Sequence, residues 1–247
     1  MRTGGWGRRR GYRSSGEESL RQGGEPRGSV GKGGVKLVEN SMKKSLAKKL
    51  VTLLSCAGVS PVIVLVRLHK YFFKSDNLFA SFAQALALIP GKLGSYLRCA
   101  YYRFTLKRFS GEGFIGFGSY FPHSSAEVGD GVYIRAYCVI GNVSIGEGSL
   151  LASRVSILSG AHQHSIEGRG TEGEQKSNCY RRTEIGKGCW VGEGSVVMAD
   201  VGDFSVVGAG SVVTRTVPEG VIAAGNPARV IREISTSERE NPTLKGS

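Results

Sequence analysis

The sequence predicts an all-β body folded as a left-handed parallel β-helix, preceded by an α-helical region that is both basic and apolar. Three observations carry this. Residues 185–217 keep a six-residue beat, with an aliphatic residue first, usually Gly second and a small residue fifth. Its phase runs through Ile185, Val191, Val197, Val201, Val207 and Val213, with one beat shortened to four residues after Val197. The same beat recurs upstream at Val128, Ile134 and Ile140, then at Ile145, Leu151 and Ile157. In nine clean beats the fifth positions are Val132, Cys138, Ser149, Val155, Cys189, Ser195, Ser205, Ser211 and Val217, all of them small. A period of six fits neither the 3.6 of a helix nor plain strand alternation. It fits three short faces closing one triangular coil. The aliphatic residue then points into the prism and stacks on the next coil, while Gly or a small polar residue allows the corner.

Taken in order, residues 1–41 read as a Gly/Arg-rich extension without a periodic apolar face. Such a segment cannot bury enough surface to offset chain entropy and is expected to be disordered. Residues 42–109 read as helical and membrane-associating. Lys43, Lys44, Lys48 and Lys49 precede an uncharged run from Leu50 to Val66, which Arg67, His69 and Lys70 close. Seventeen residues sit at the lower limit for a spanning helix, and Pro61 interrupts them. Basic residues at both ends give no clear orientation, and a single crossing would part the prism from its basic start. The expectation is therefore a kinked helix lying in or dipping into the cytoplasmic leaflet, rather than a cleaved signal peptide. A second apolar stretch, Leu78 to Ile89, places Phe79, Phe82, Ala83, Leu86 and Ile89 at helical spacing. The basic aromatic segment from Tyr96 to Phe104 suits a headgroup boundary, or equally the packed end of the prism. Residues 110–234 form the β-helix, and residues 235–247 a polar tail.

Charge is unevenly placed. The chain of 247 residues has a formal charge of +13, of which +5 falls in residues 1–34 and +11 in residues 35–110, leaving −3 in residues 111–247. Nucleic-acid binding would want basic and aromatic residues on the folded body itself. A basic, apolar arm before a near-neutral body points instead to an anionic membrane surface, with no nucleic-acid partner. The five cysteines are odd in number and show no C-x-x-C pair. Cys138 and Cys189 fall on the small fifth position, so they read as buried fillers in a reducing, cytoplasmic setting.

The beat breaks once. After Ile157 the next clean position is Ile185, twenty-eight residues later, and residues 159–184 open on two of the chain's four histidines, His162 and His164. Solenoids place insertions on one face, often the binding face. Imidazole, with an ordinary pKa of about 6.5, can take the proton of a weakly nucleophilic hydroxyl at neutral pH. No G-x-S-x-G motif is present, so direct transfer is expected rather than an acyl-enzyme.

The repeat, the loop with its His, Trp190-Val191-Gly192, the run Val207 to Thr214 and the closing Ala224-Gly225-Asn226-Pro227-Ala228-Arg229-Val230-Ile231 resemble the hexapeptide-repeat O-acetyltransferases. Within these the chain is similar to the maltose, galactoside, nodulation-factor and polysaccharide acetyltransferases, over about residues 90–234. The resemblance implies a homotrimer with active sites between subunits, acetyl-CoA as co-substrate and a sugar or saccharide acceptor. It implies a His general base, corresponding best to His162, with His164 as the neighbouring choice. It also implies cofactor contacts at Trp190, Ala209, Thr214, Arg215 and Arg229. Where these enzymes carry an Asn in the acceptor pocket, this chain has Arg135, with Asn142 nearby. Two other readings stay open. One is a zinc enzyme of the gamma-carbonic-anhydrase type, for which His162, His164 and His123 supply three imidazoles at the wrong spacing. The other is a non-catalytic prism acting as a scaffold or binding module. No resident metal is expected on the first reading.

Overall fold

The computed structural model describes residues 32–110, 112–159 and 182–235. The chain divides into two compact units at Lys44/Ser45, and the prism lies in the second. Three helices come first, α1 (Lys32–Phe73), α2 (Asn77–Ala87) and α3 (Gly91–Thr105). The helix therefore starts at Lys32, inside the segment expected to be unstructured up to residue 41. Pro61 lies within α1 without ending it.

The strands that follow build three faces. The first face holds β1 (Arg108–Phe109), β3 (Glu127–Val128), β6 (Val143–Ile145) and β9 (Thr183–Ile185). The second holds β2 (Phe114–Ile115), β4 (Tyr133–Ile134), β7 (Leu150–Leu151), β10 (Trp190–Val191), β12 (Val206–Val207), β14 (Val221–Gly225) and β15 (Ala228–Glu233). The third holds β5 (Val139–Ile140), β8 (Ser156–Ile157), β11 (Val196–Val197) and β13 (Val212–Val213). The chain visits the faces cyclically, and every pairing is parallel until β15 turns back antiparallel on β14. The prism begins at Arg108, because β1 already pairs with β3; the boundary expected at Ser110 falls two residues late.

Register explains the rhythm. Val128, Ile145, Ile185, Val201 and Val217 stack on the first face. Ile134, Leu151, Val191, Val207 and Ala223 stack on the second, and Ile140, Ile157, Val197 and Val213 on the third. All are buried, at 4% exposure or less. Six residues always separate the first face from the second and the second from the third. Every irregular step falls between the third face and the first: Ile140 to Ile145, Ile157 to Ile185, Val197 to Val201 and Val213 to Val217. The shortened beat is thus a property of one edge, and the long insertion replaces the same corner.

The small fifth positions are also buried, and the serines among them join coils. Ser149 Oγ donates to the Gly186 carbonyl at 2.7 Å and accepts from the Cys189 N–H at 3.0 Å. Ser195 Oγ donates to Gly208 and Ser205 Oγ to Pro218, at 3.0 and 2.6 Å. A hydroxyl here satisfies corner carbonyls that no strand reaches. Cys138 and Cys189 are buried fillers as expected, and burial pushes both thiols up from their ordinary pKa. The fourth position adopts the left-handed conformation, usually with Gly, as at Gly131, Gly148, Gly194 and Gly210.

Helices α2 and α3 close the start of the prism. Of the expected apolar stripe, Phe79 and Ala83 are buried and Phe82, Leu86 and Ile89 half-buried, with Ala87 buried beside them. Part of the basic aromatic segment packs on the end of the prism, while Arg103 and Phe104 stay exposed. Tyr101, Tyr102 and Arg98 are fully buried, with the Tyr101 hydroxyl donating to the Phe79 carbonyl at 2.9 Å. The Arg98 guanidinium donates to Leu86 and Ile89 at 2.9 Å each, and to Ile115 of β2 at 3.1 and 3.0 Å. It serves carbonyls at and just beyond the end of α2, where regular helical bonding stops, and fastens them to the first coil.

Candidate active site

The insertion leaves the prism after β8 and returns at β9, on the edge between the third and first faces. His162 and His164 lie outside the described residues; its two stems do not. The Thr183 hydroxyl donates to the Leu158 carbonyl at 2.8 Å, so departing and returning strands are bonded to each other. Asn142 sits beneath them on the preceding coil. Its N–H donates to Ser159 Oγ at 2.8 Å, and its carbonyl accepts from the Thr183 N–H at 3.0 Å. The Asn142 side chain is oriented as well, with Oδ1 accepting from the Ser125 hydroxyl at 2.9 Å. Gly141 is required here, since a Cβ would lie 2.7 Å from Ser159 Oγ and 2.9 Å from the Ile157 carbonyl.

A charged anchor completes the returning stem. Arg182 donates to Glu127 Oε1 at 2.6 Å and to the Ser125 carbonyl at 3.2 Å, while Lys107 reaches the same carboxylate at 2.8 Å. Hydrogen bonds from Lys107 and Arg182 hold the Glu127 carboxyl below its usual range. The two chain ends of the insertion therefore leave a fixed base, which is what a positioned acid–base residue needs.

The sequence-predicted contacts fall on two edges. Thr214 and Arg215 occupy the third-to-first edge, two coils beyond the insertion and in register with its stems. Both are exposed. Arg135 and Ala209 lie on the opposite edge of the third face, also exposed. Trp190 stands on the outer surface of the second face at 43% exposure, between Leu150 and Val206. Arg229 is exposed on β15, opposite Ala224, and the turn before it contains a cis Asn226–Pro227 peptide. Within one chain the structure joins Asn142 with Thr214 and Arg215 along one edge, and Trp190, Ala209 and Arg229 around another. It does not bring Arg135 to Asn142.

Sequence reasoning missed Ser125, Ser159, Arg182, Thr183 and Glu127 as the clamp. Thr183 carried a usable signal, because it stands two residues before Ile185 and shares its inward face. Arg182 and Glu127 carried none; their partnership depends on coil stacking. His123 is half-buried near the first coil. Among the described residues no cluster of three His, Cys, Asp or Glu side chains could hold a metal.

No family model matches the chain. The galactoside O-acetyltransferase of Escherichia coli K12 is 37% identical over 102 residues, covering 39% of this chain and 47% of that protein. A serine acetyltransferase of Buchnera aphidicola is 32% identical over 127 residues, covering 51% of this chain and 43% of its own length. The solved structure of a galactoside acetyltransferase in complex with coenzyme A superposes with a TM-score of 0.56 at 26% identity, covering 67% of this chain and 84% of that one. The chain thus resembles the hexapeptide-repeat acetyltransferases in sequence and fold. It spans about half the length of the curated relatives it matches.

Proposed function

We propose that this chain is an acetyl-CoA-dependent O-acetyltransferase whose acceptor is a hydroxyl of a sugar, polysaccharide or lipid-linked saccharide. The observation that carries the reading is the single insertion, bearing two histidines and leaving the prism from stems clamped by Leu158, Asn142 and Thr183. Similarity to proteins that bind coenzyme A or acetylate galactosides supports it. The prism is left-handed on this reading, as the relatives' repeat implies.

The step is a direct transfer. His162, or His164 beside it, takes the acceptor proton as the hydroxyl oxygen bonds to the thioester carbonyl carbon. The oxyanion of the tetrahedral intermediate is met by backbone N–H groups of a coil corner. Collapse breaks the carbon–sulfur bond, and the same imidazolium returns its proton to the leaving thiolate. Arg215 and Arg229 pair with the nucleotide phosphates of acetyl-CoA, and Trp190, Ala209 and Thr214 border the pantetheine arm. These residues lie on two edges of one chain, so a groove that uses both sets is formed between copies, in a homotrimer. Arg135 and Asn142 then face an acceptor from different subunits.

Membrane contact is the second part of the proposal. Within Lys49–Phe73 an 18-residue window has a mean hydropathy of 2.0 and is 22% buried, and Leu53, Leu54, Val64, Leu68 and Phe72 of the stretch are exposed. Ser55, Val59, Ile63 and Val66, spaced along one face, are buried. Arg67 is bonded to the Phe104 carbonyl, and Lys70 to Asp76 and Ser124, so the end of α1 is tied to the body. A helix with one buried face and a lipid-seeking remainder suits peripheral attachment at the cytoplasmic leaflet.

Acetyl-CoA cleavage by the purified full chain against monosaccharides, lipid-linked saccharides and free serine tests the acceptor class. Thioester turnover that rises only with a saccharide supports the reading. Turnover with serine alone, or with no acceptor at all, overturns it.

A further inference from the structure

We infer that the cavity between α1, α3 and the first coils is a binding site for the phosphate head of an anionic membrane lipid. The cavity has a volume of about 870 Å³, large enough for a headgroup with the start of its chains. Among the described residues, none of the candidate cofactor or acceptor contacts lines it. Its chemistry has two halves. Among the described residues lining it, Lys49, Lys92 and Arg103 are cationic and Glu112 is acidic. The floor is apolar and rigid, formed by Phe114 and Tyr133 from consecutive coils, whose rings stack at 4.5 Å and 12°.

A pocket with cations and an aromatic floor takes an amphiphile with an anionic head. Its position selects the source. One wall is α1 itself, whose neighbouring Leu50 and Leu54 are exposed, so a lipid lying along α1 reaches the cavity without leaving an apolar surface. A soluble anion would have no use for the stacked floor. The membrane attachment proposed above supplies the lipid, but the site is defined by the cavity and can be probed without a bilayer.

Cys56 lines the same cavity and offers a readout. The full chain is treated with N-ethylmaleimide, and alkylation of Cys56 is followed by peptide mass spectrometry. Dihexanoyl phosphatidate, dihexanoyl phosphatidylcholine and inorganic phosphate are the probes, the lipids kept below micelle formation. Phosphatidate at ten times its Kd is expected to slow Cys56 alkylation about tenfold, since the free fraction falls as 1/(1 + [L]/Kd). Phosphatidylcholine and phosphate alone should give little protection. Exposed Lys92→Glu and Arg103→Glu should each remove the protection, whereas the distant Lys187→Glu, an equal change in charge, should not. Native mass spectrometry of the same samples should show one phosphatidate per chain. Equal protection by both lipids, protection by phosphate alone, or protection that survives both reversals overturns the proposal. Vesicle pelleting and acetyl-CoA turnover are scored separately, so a chain that pellets and turns over without Cys56 protection refutes the cavity site alone.

Discussion

The hydroxyl of Thr183 donates to the carbonyl of Leu158 at 2.8 Å, which closes the insertion at its neck. Thr183 is buried at 2% exposure, so its hydroxyl has little access to water as an alternative partner. Thr183→Val keeps the shape and deletes the donor. The expected cost is about 1–3 kcal/mol, the penalty of a carbonyl left without its partner. Thermal unfolding should fall by several degrees, and acetyl-CoA turnover should fall with it. A melting point equal to that of the unaltered chain would show that the neck is held by the Asn142 and Ser159 bonds alone.

Arg98 makes a second junction, between α2, α3 and β2. Arg98→Lys retains charge but offers a single point donor in place of a planar fork, so it cannot serve Leu86, Ile89 and Ile115 together. Both Arg98→Lys and Arg98→Met should destabilise the fold by at least about 3 kcal/mol, because several carbonyls lose partners at once. Chemical denaturation measures it. If Arg98→Lys unfolds at the same midpoint as the unaltered chain, the fork is not what fastens the helices.

Two glycines separate backbone conformation from space. Gly210 has φ +67° with nothing within 4 Å of an added Cβ, so Gly210→Ala should cost about 1–2 kcal/mol through the left-handed backbone alone. At Gly192 a Cβ would sit 2.5 Å from the Ala209 backbone nitrogen on the next coil. Gly192→Ala should therefore cost more than Gly210→Ala and also disturb the corner that carries Ala209. Equal denaturation midpoints for the two variants would contradict this ordering.

Acid should loosen the returning stem. Hydrogen bonds from Lys107 and Arg182 hold Glu127 below its ordinary pKa, so its contribution is fully present above the unfolded value of about 4.3. That contribution is lost as pH falls through the depressed folded value. Asp76 acts in the same direction. Burial raises its pKa, but hydrogen bonds from Ser124 and Lys70 outweigh this and hold it low. Melting temperature should decline below about pH 4, and Glu127→Gln should flatten part of that decline. A Glu127→Gln chain with an unchanged slope would remove Glu127 from the account.

The prism is legible in the sequence because every coil repeats one physical demand: an aliphatic residue inside and a small residue at the corner. Ile134, Leu151 and Val191 announce it locally, before any long-range contact is known. The position of the insertion is equally legible, since a missing beat after Ile157 can only fall at a corner. The clamp is not, because Glu127 and Arg182 meet only through stacking of coils far apart in sequence. That Arg98 and Tyr102 take the packed one of the segment's two readings is illegible for a related reason. A basic aromatic segment looks like a surface, yet a guanidinium can be buried when helix-end carbonyls surround it. Tyr137 and Phe204 show another limit. They take the left-handed fourth position usually held by Gly, and their rings lie where a Cβ on Gly118 or Gly188 of the neighbouring coil would be.

The central claim is that an imidazole of the clamped insertion takes the acceptor proton. Acetyl-CoA turnover by the full chain with a saccharide acceptor, compared among His162→Ala, His164→Ala and the double variant, tests it most directly. One single variant should lower kcat about 10²–10⁴-fold with the KM for acetyl-CoA little changed, and the double variant should fall no further than about that same range. A double variant that turns over acetyl-CoA at the unaltered rate would contradict it.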